Sequence, residues 1–467
     1  MKLRKLMAMT MATAMVATTL TGCGGGKKDV PTDTSKAVET TTQQKTETTA
    51  VTEAAASGEQ LADGKEVTLR FAWWGSQNRH ERTQKVCEMF EAKYPNVTIE
   101  MEPYDFNGYF QKLNTLIGAK DVWDVFQLGN GFAEFDSAIL DLQPYIDDKT
   151  ISTEHITDAF LDITKFAGKQ ASISLGTNAH CMIYNADMFA EAGLAEPADN
   201  WTWDEYQKNA EALKEVTGEF GSSRTEPFYG ACTVGVPQWG EELNFFKADN
   251  SGLGIDKPDY LVPYMQMIKD MTESGSYPDP GAVAEIGMDP TQDFVATGEA
   301  GMVWTASNQF IALSDAAAKN GYPNMKLAPI PRRTADGPAG LRIKSSQGLC
   351  ASSTYEYPDV AAAFINFFVN DIEANKVLAG ERGVPINSAV REALVPQLTT
   401  AENQIYDYID KVSKFEDGKF VNINEPAQQE IVKKRFELDL EKVISGELTP
   451  EAAAQDVFDF ANAEFAN

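Results

Sequence analysis

From residue 67 onward the hydrophobic period of this chain switches every few residues, and that switching constrains the fold more than any other feature. Val67, Leu69 and Phe71 alternate with Thr68, Arg70 and Ala72, the period of two of a strand. Val86, Phe90 and Tyr94 then recur four apart, with Met89 beside them, which is helical spacing. VTIEM at 97–101 reads as a second strand, Phe110, Leu113 and Ile117 mark a second helix, and DVWDVFQL at 121–128 reads as a buried third strand. A strand-helix-strand-helix-strand unit implies a parallel sheet covered by helices. The pattern returns in MIYNADMFAEAGL at 182–194, a strand, a turn and a helix closed by Gly193. Thr202-Trp203-Asp204-Glu205 is a capping box that opens a further helix, and AAAFINFFVND at 361–371 is another, strongly apolar one. The fold class is α/β, and no internal repeat replaces it.

The segment before this pattern has other work. Lys2, Arg4 and Lys5 precede a short apolar and threonine-rich stretch that ends in small residues before Cys23, the layout of an export signal over residues 1–22. Its apolar part is too short for a bilayer core that takes about 20 apolar residues. Leu20-Thr21-Gly22-Cys23 resembles the lipobox of bacterial lipoproteins, in which the cysteine is acylated, so Cys23 is the expected lipidation site. Residues 23–64 contain no aromatic side chain and are rich in Thr, Glu, Lys, Gln and Ala, so they cannot bury enough surface to fold. As a flexible tether of about 40 residues they would span about 35 Å, enough to hold a domain off a membrane.

About 400 residues remain, enough for two domains and a large core, in a chain with 7 Trp, 15 Tyr and 25 Phe. With 40 Lys+Arg against 69 Asp+Glu the net charge is −29, which argues against nucleic acid or an anionic membrane surface as partner. Cys87, Cys181, Cys232 and Cys350 are far apart and form no Cys-x-x-Cys pair; spacing leaves pairing open, and buried free thiols are the expectation.

In an open α/β sheet, ligands bind beyond the carboxyl ends of the strands. Two such ends carry suitable groups: Trp73 and Trp74 followed by Ser76, Gln77, Asn78, Arg79 and His80, and Gln127, Gly129 and Asn130 after the DVF strand. An indole can cover the C–H face of a pyranose, while amides, hydroxyls and guanidinium groups meet its rim of hydroxyls.

WWGSQNRHERT, FEAKYPNVTIE, DVFQL, MIYNADMFAEAGL, NWTWDEY, TGEAGMVWTASNQF, AAAFINFFVND and RGVPINS, in this order, resemble the extracellular solute-binding proteins of family 1, the substrate-capturing lipoproteins of sugar importers driven by ATP. The resemblance covers residues 65 to 467. It implies two lobes, each with a mainly parallel sheet flanked by helices, joined by a hinge that the chain crosses more than once. The first lobe would be 65–176 plus 327–374 and the second 177–326 plus 375–467. Ligand contacts would fall on Trp74, Ser76, Gln77, Asn78, Arg79, Gln127, Gly129 and Asn130 of the first lobe. Asn178 at the first crossing would follow, where maltose-type members carry a carboxylate, and then Phe228, Trp239, Trp304, Asn308 and Arg382. Trp73, next along the strand, would point the other way, into the sheet.

The expected function is capture of an oligosaccharide and its delivery to the membrane permease of an ABC importer, by a monomer anchored through Cys23, with no cofactor, metal or catalysis. A neutral sugar is expected because a charge of −29 repels an approaching anion; an acidic, uronate-bearing sugar is the alternative, through Arg79, His80 and Arg382. A glycosidase would need two carboxylates at catalytic separation, which a sequence with 69 acidic residues cannot exclude, but the chain shows no G-x-S-x-G, H-E-x-x-H or P-loop motif and its histidines are scattered. A surface adhesin would fit the anchor but does not explain the α/β alternation.

Overall fold

The structure is a computed structural model that describes residues 59–129, 131–235, 245–247, 250–287, 289–415, 426 and 428–466, with backbone only for 232–235. The signal, Cys23 and nearly all of the expected tether lie outside the described residues. Its end does not: Asn96 Nδ2 donates to the carbonyls of Leu61 and Lys65 at 2.8 and 2.7 Å, tying residues 61–65 to the folded body.

The expected first unit forms as strand β1 (Val67–Trp74), helix α1 (Gln77–Lys93), β2 (Val97–Tyr104), α2 (Phe106–Ala119) and β3 (Val125–Leu128). Two-residue strands β4 (Lys165–Phe166) and β5 (Lys169–Gln170) make a separate hairpin. Then come β6 (Ile173–Asn185), β7 (Met302–Ala306), β8 (Met325–Ala328) and β9 (Ile343–Ala351). The seven-stranded sheet runs β2-β1-β3-β9-β6-β7, with β8 also paired to β6. β1 lies parallel to β2 and β3, as the sequence pattern requires.

The other strand pairings in this sheet are antiparallel, so the first half keeps the expected mainly parallel β2-β1-β3 and only the second half departs from it. The cause is β6. This 13-residue strand carries the chain from one half to the other: Ile173–Ala179 pairs with β9, and His180–Asn185 pairs with β7 and β8. Each later strand returns against it.

Three segments meet at Gly176 and Thr177 of β6. Thr177 N–H donates to Val384 O at 2.8 Å and Val384 N–H to Thr177 O at 3.1 Å, while Ser346 Oγ donates to Gly176 O at 2.8 Å. These contacts tie residues 176–177 of β6 to two later segments of the chain. The boundary expected at 327 falls within β8, which pairs with the far end of β6, and the one expected at 374 falls within the helix Ile372–Leu378. Residues 345–346 and 382–384 are the segments that meet β6 at Gly176 and Thr177.

Alternation along β1 sorts its side chains to two faces. Phe71 and Trp73 pack under α1 and the helix Pro358–Asn370, with Phe71 5.0 Å from Phe364 and 5.5 Å from Phe368. Ala72 and Trp74 face α2, where Tyr109 stacks on Trp123 at 5.3 Å. The capping box at Thr202 and Glu205 forms as read, with both reciprocal hydrogen bonds. Cys87, Cys181 and Cys350 are buried free thiols; the Cys232 side chain lies outside the described residues. Among the described residues no helix is long and apolar enough to cross a membrane, and no cluster of His, Cys, Asp and Glu could hold a metal ion.

Candidate functional site

The tryptophans after β1 are packing groups. Trp74 is 8% exposed, with its ring 4.9 Å from Tyr109, 5.2 Å from Phe110 and 5.8 Å from Phe106. Trp73 points the other way, as expected, and its Nε1–H donates to His80 Nδ1 at 3.1 Å. Ser76 is the N-cap position of α1, and Gln77 and Asn78 open that helix, exposed. Their side chains bond within the helix, Gln77 Nε2 to Glu81 at 3.0 Å and Asn78 Oδ1 from Arg82 at 3.1 Å.

Four of the sequence-selected residues do converge, on one another. Arg79 Nε donates to Glu381 Oε2 at 2.6 Å and its Nη1 to the Trp74 carbonyl at 3.1 Å. Arg382 also pairs with Glu381, and donates to Gln127 Oε1 at 3.0 Å and to Thr83 Oγ1 at 2.7 Å. Gln127 Nε2 donates in turn to the Trp74 carbonyl at 3.3 Å. Burial lowers the Arg382 pKa to about 10, so it stays charged at neutral pH. The network clamps α1, β1 and β3 onto residues 381–382. Its guanidinium groups answer Glu381 rather than a ligand.

Phe228 is 1% exposed, in a cluster with Phe245, Phe246 and Phe436. Trp304 is equally buried, 5.9 Å from His180 and 5.4 Å from Trp203, and supports a wall from behind. Asn308 is exposed in the turn after β7, and Asn178 is half-buried opposite Lys344. Asn130 and Trp239 lie outside the described residues.

Among the described residues, Gly129 alone of those selected lines a cavity of about 310 Å³ where the two halves of the sheet meet. Gly129 is needed there because a Cβ would stand 2.8 Å from the Ser346 carbonyl. The first half contributes Phe132 after β3 and Lys165 and Phe166 from the hairpin, the two rings 6.4 Å apart. β6 contributes His180 at its change of partner, and β9 with the residue before it contributes Arg342, Lys344 and Ser345. Two helices close the far side: Pro227–Gly235 with Tyr229, preceded by Glu226, and Gln429–Ile444 with Gln429, Glu430 and Lys433.

This wall suits a polyhydroxylated ligand. His180 is 4% exposed, and among the described residues its Nδ1 and the Oε1 of buried Gln429 have no hydrogen-bond partner. A buried polar atom without a partner costs about 1–3 kcal/mol, and both atoms are sealed within the wall itself. Burial, then Arg342, Lys344 and Lys433, holds the His180 pKa well below its ordinary 6.5, so the imidazole is neutral and can both donate and accept. Burial raises the Glu226 pKa against the pull of Lys433, Lys344, Arg224 and Arg342. Tyr229 meets His180 edge to face at 5.1 Å, with the Arg342 guanidinium 4.8 Å from its ring centre and bonded to its hydroxyl.

Tyr229 is the residue that sequence reading passed over for its neighbour Phe228. A helical heptad of apolar positions would have told them apart, but PFYGACTVG is apolar on nearly every side. His180, Arg342, Lys344 and Lys433 carry no local motif.

The comparisons agree on one kind of protein. The model of the bacterial extracellular solute-binding protein family matches residues 85–403. A binding protein of Brucella abortus is 28% identical over 338 residues, 68% of this chain and 72% of that one. The arabinooligosaccharide-binding protein of Bacillus subtilis is 24% identical over 238 residues, 49% of this chain and 53% of that one. Among solved structures, a periplasmic oligogalacturonide-binding protein from Yersinia enterocolitica superposes with a TM-score of 0.73 at 21% identity, over 85% of this chain and 99% of that one. The fold is thus that of the two-lobed periplasmic binding proteins.

Proposed function

The chain belongs to the bacterial extracellular solute-binding proteins, and we propose that it captures an oligosaccharide in the cavity between its lobes and hands it to the permease of an ABC importer. The lobes divide at the three segments joined around Gly176, so closure by bending there would wrap the ligand from both sides. The observation that carries the reading is the cavity lining: aromatic residues from both halves, Phe132, Phe166 and Tyr229, beside polar and charged ones such as Ser345, Lys165, Lys433 and Glu430. Those groups match a sugar's C–H faces and hydroxyl rim. Two relatives named above bind oligosaccharides, one of arabinose and one of galacturonate, which supports the same class here. Anchoring through an acylated Cys23 belongs to this reading, as does action as a monomer.

A thermal-shift screen against neutral and acidic oligosaccharides tests it. A true ligand at 100 times its Kd adds about 2.7 kcal/mol to stability. Because Glu226 and Glu430 both line the cavity, saccharide recovered after incubation should be analysed as well. Intact sugar supports capture, whereas cleaved sugar would make the chain a hydrolase.

A further inference from the structure

We propose that the saccharide this cavity takes is anionic, a uronate-bearing oligosaccharide whose carboxylate is received by Arg342, Lys344 and Lys433. The inference rests on the carbohydrate reading and names its class. A chain of net charge −29 would be expected to show a negative cavity, yet the described lining residues carry the opposite sign. Four cations line it, Lys165, Arg342, Lys344 and Lys433, against two carboxylates, Glu226 and Glu430. Glu226 is held toward its neutral form by burial, which leaves the excess positive.

The cations also come from separate parts of the fold. Lys165 stands on the first-half hairpin, where it pairs with Asp162 at 2.7 Å; Arg342 and Lys344 stand at the return crossing, and Lys433 on the helix Gln429–Ile444. The N-terminal turn of that helix faces the cavity and adds its positive dipole end. The field of Arg342, Lys344 and Lys433 already acts together on His180. Bringing like charges closer as the lobes close is unfavourable, and an anion between them reverses the sign of that term. A neutral sugar leaves it in place.

The earlier candidates for a carboxylate partner, Arg79 and Arg382, pair with Glu381 and are not among the residues that line the cavity. A phosphate or sulfate on the sugar would meet the same cations. The carboxylate is favoured because Tyr229 and the Phe132–Phe166 pair offer ring faces on either side, which suits successive sugar rings each bearing one charge.

The test is calorimetry on the purified chain with trimers of galacturonate, glucuronate and mannuronate. Each is paired with its carboxyl-reduced neutral counterpart, with glucose 6-phosphate, a sulfated disaccharide and citrate as further arms, at low and high salt. The expected result is that a uronate trimer binds about tenfold to a hundredfold tighter than its reduced counterpart, the advantage shrinking with salt. Lys433→Gln should remove most of that advantage while unliganded thermal unfolding stays unchanged, and Lys344→Gln should reduce it as well. Neutral trimers that bind as well as or better than the uronates, without salt dependence, would overturn the anionic assignment and leave the carbohydrate reading standing. Preference for the phosphorylated or sulfated sugar would overturn the uronate. Binding of citrate with no saccharide bound would overturn both.

Discussion

Residues 73, 74, 228 and 229 show how a single step along the chain separates packing from recognition. Consecutive strand residues face opposite sides, and consecutive helix residues differ by about 100°. Trp74 therefore lands among Phe106, Tyr109 and Phe110, and Phe228 among Phe245, Phe246 and Phe436, while Tyr229 turns to the cavity. Trp74→Ala should lower unfolding stability by about 3–5 kcal/mol, the cost of emptying a packed aromatic site. Titration of the folded fraction should give nearly unchanged affinity; a large loss of affinity at undiminished stability would put Trp74 back in the ligand site. Tyr229→Ala should do the reverse, weakening saccharide binding by more than about 2 kcal/mol with a modest change in stability, as read by calorimetry beside denaturant unfolding.

At the level of elements, the decisive feature is β6, one strand shared by two halves. Its crossing is built on close backbone approach, and glycine makes that possible. Gly383 has φ +101°, and a Cβ there would stand 2.9 Å from Ser346 Oγ and 3.1 Å from the Thr177 carbonyl. Gly383→Ala should cost about 1–3 kcal/mol of stability from backbone strain alone. Denaturant midpoints measure this, and an unchanged midpoint would mean the crossing relaxes freely. The Arg79–Glu381–Arg382 network beside it was legible from sequence as a gathering of polar residues at two strand ends. What could not be read was its partner: Glu381 lies about 300 residues from Arg79, and only the returning chain supplies it.

For the whole molecule, the proposed function requires motion between the halves. Small-angle scattering should show a smaller radius of gyration at saturating ligand than without it. An unchanged radius would remove bending at residues 176–177, 345–346 and 382–384 from the account, and with it closure as the means by which the permease recognises a loaded protein.

The amino-acid sequence alone determined the local periods, hence the first three strands in parallel with their helices, the capping box at Thr202 and the family, because each is written in neighbouring residues. Tertiary structure decided the rest. The antiparallel return of β7, β8 and β9, the conversion of Arg79, Gln127 and Arg382 from ligand contacts into a clamp, and the cationic cavity of Arg342, Lys344 and Lys433 all depend on pairs distant in sequence. Charge shows the reason most plainly: a sum of −29 sets the field far from the protein, while the sign inside a cleft is set by the few side chains that folding brings to its wall.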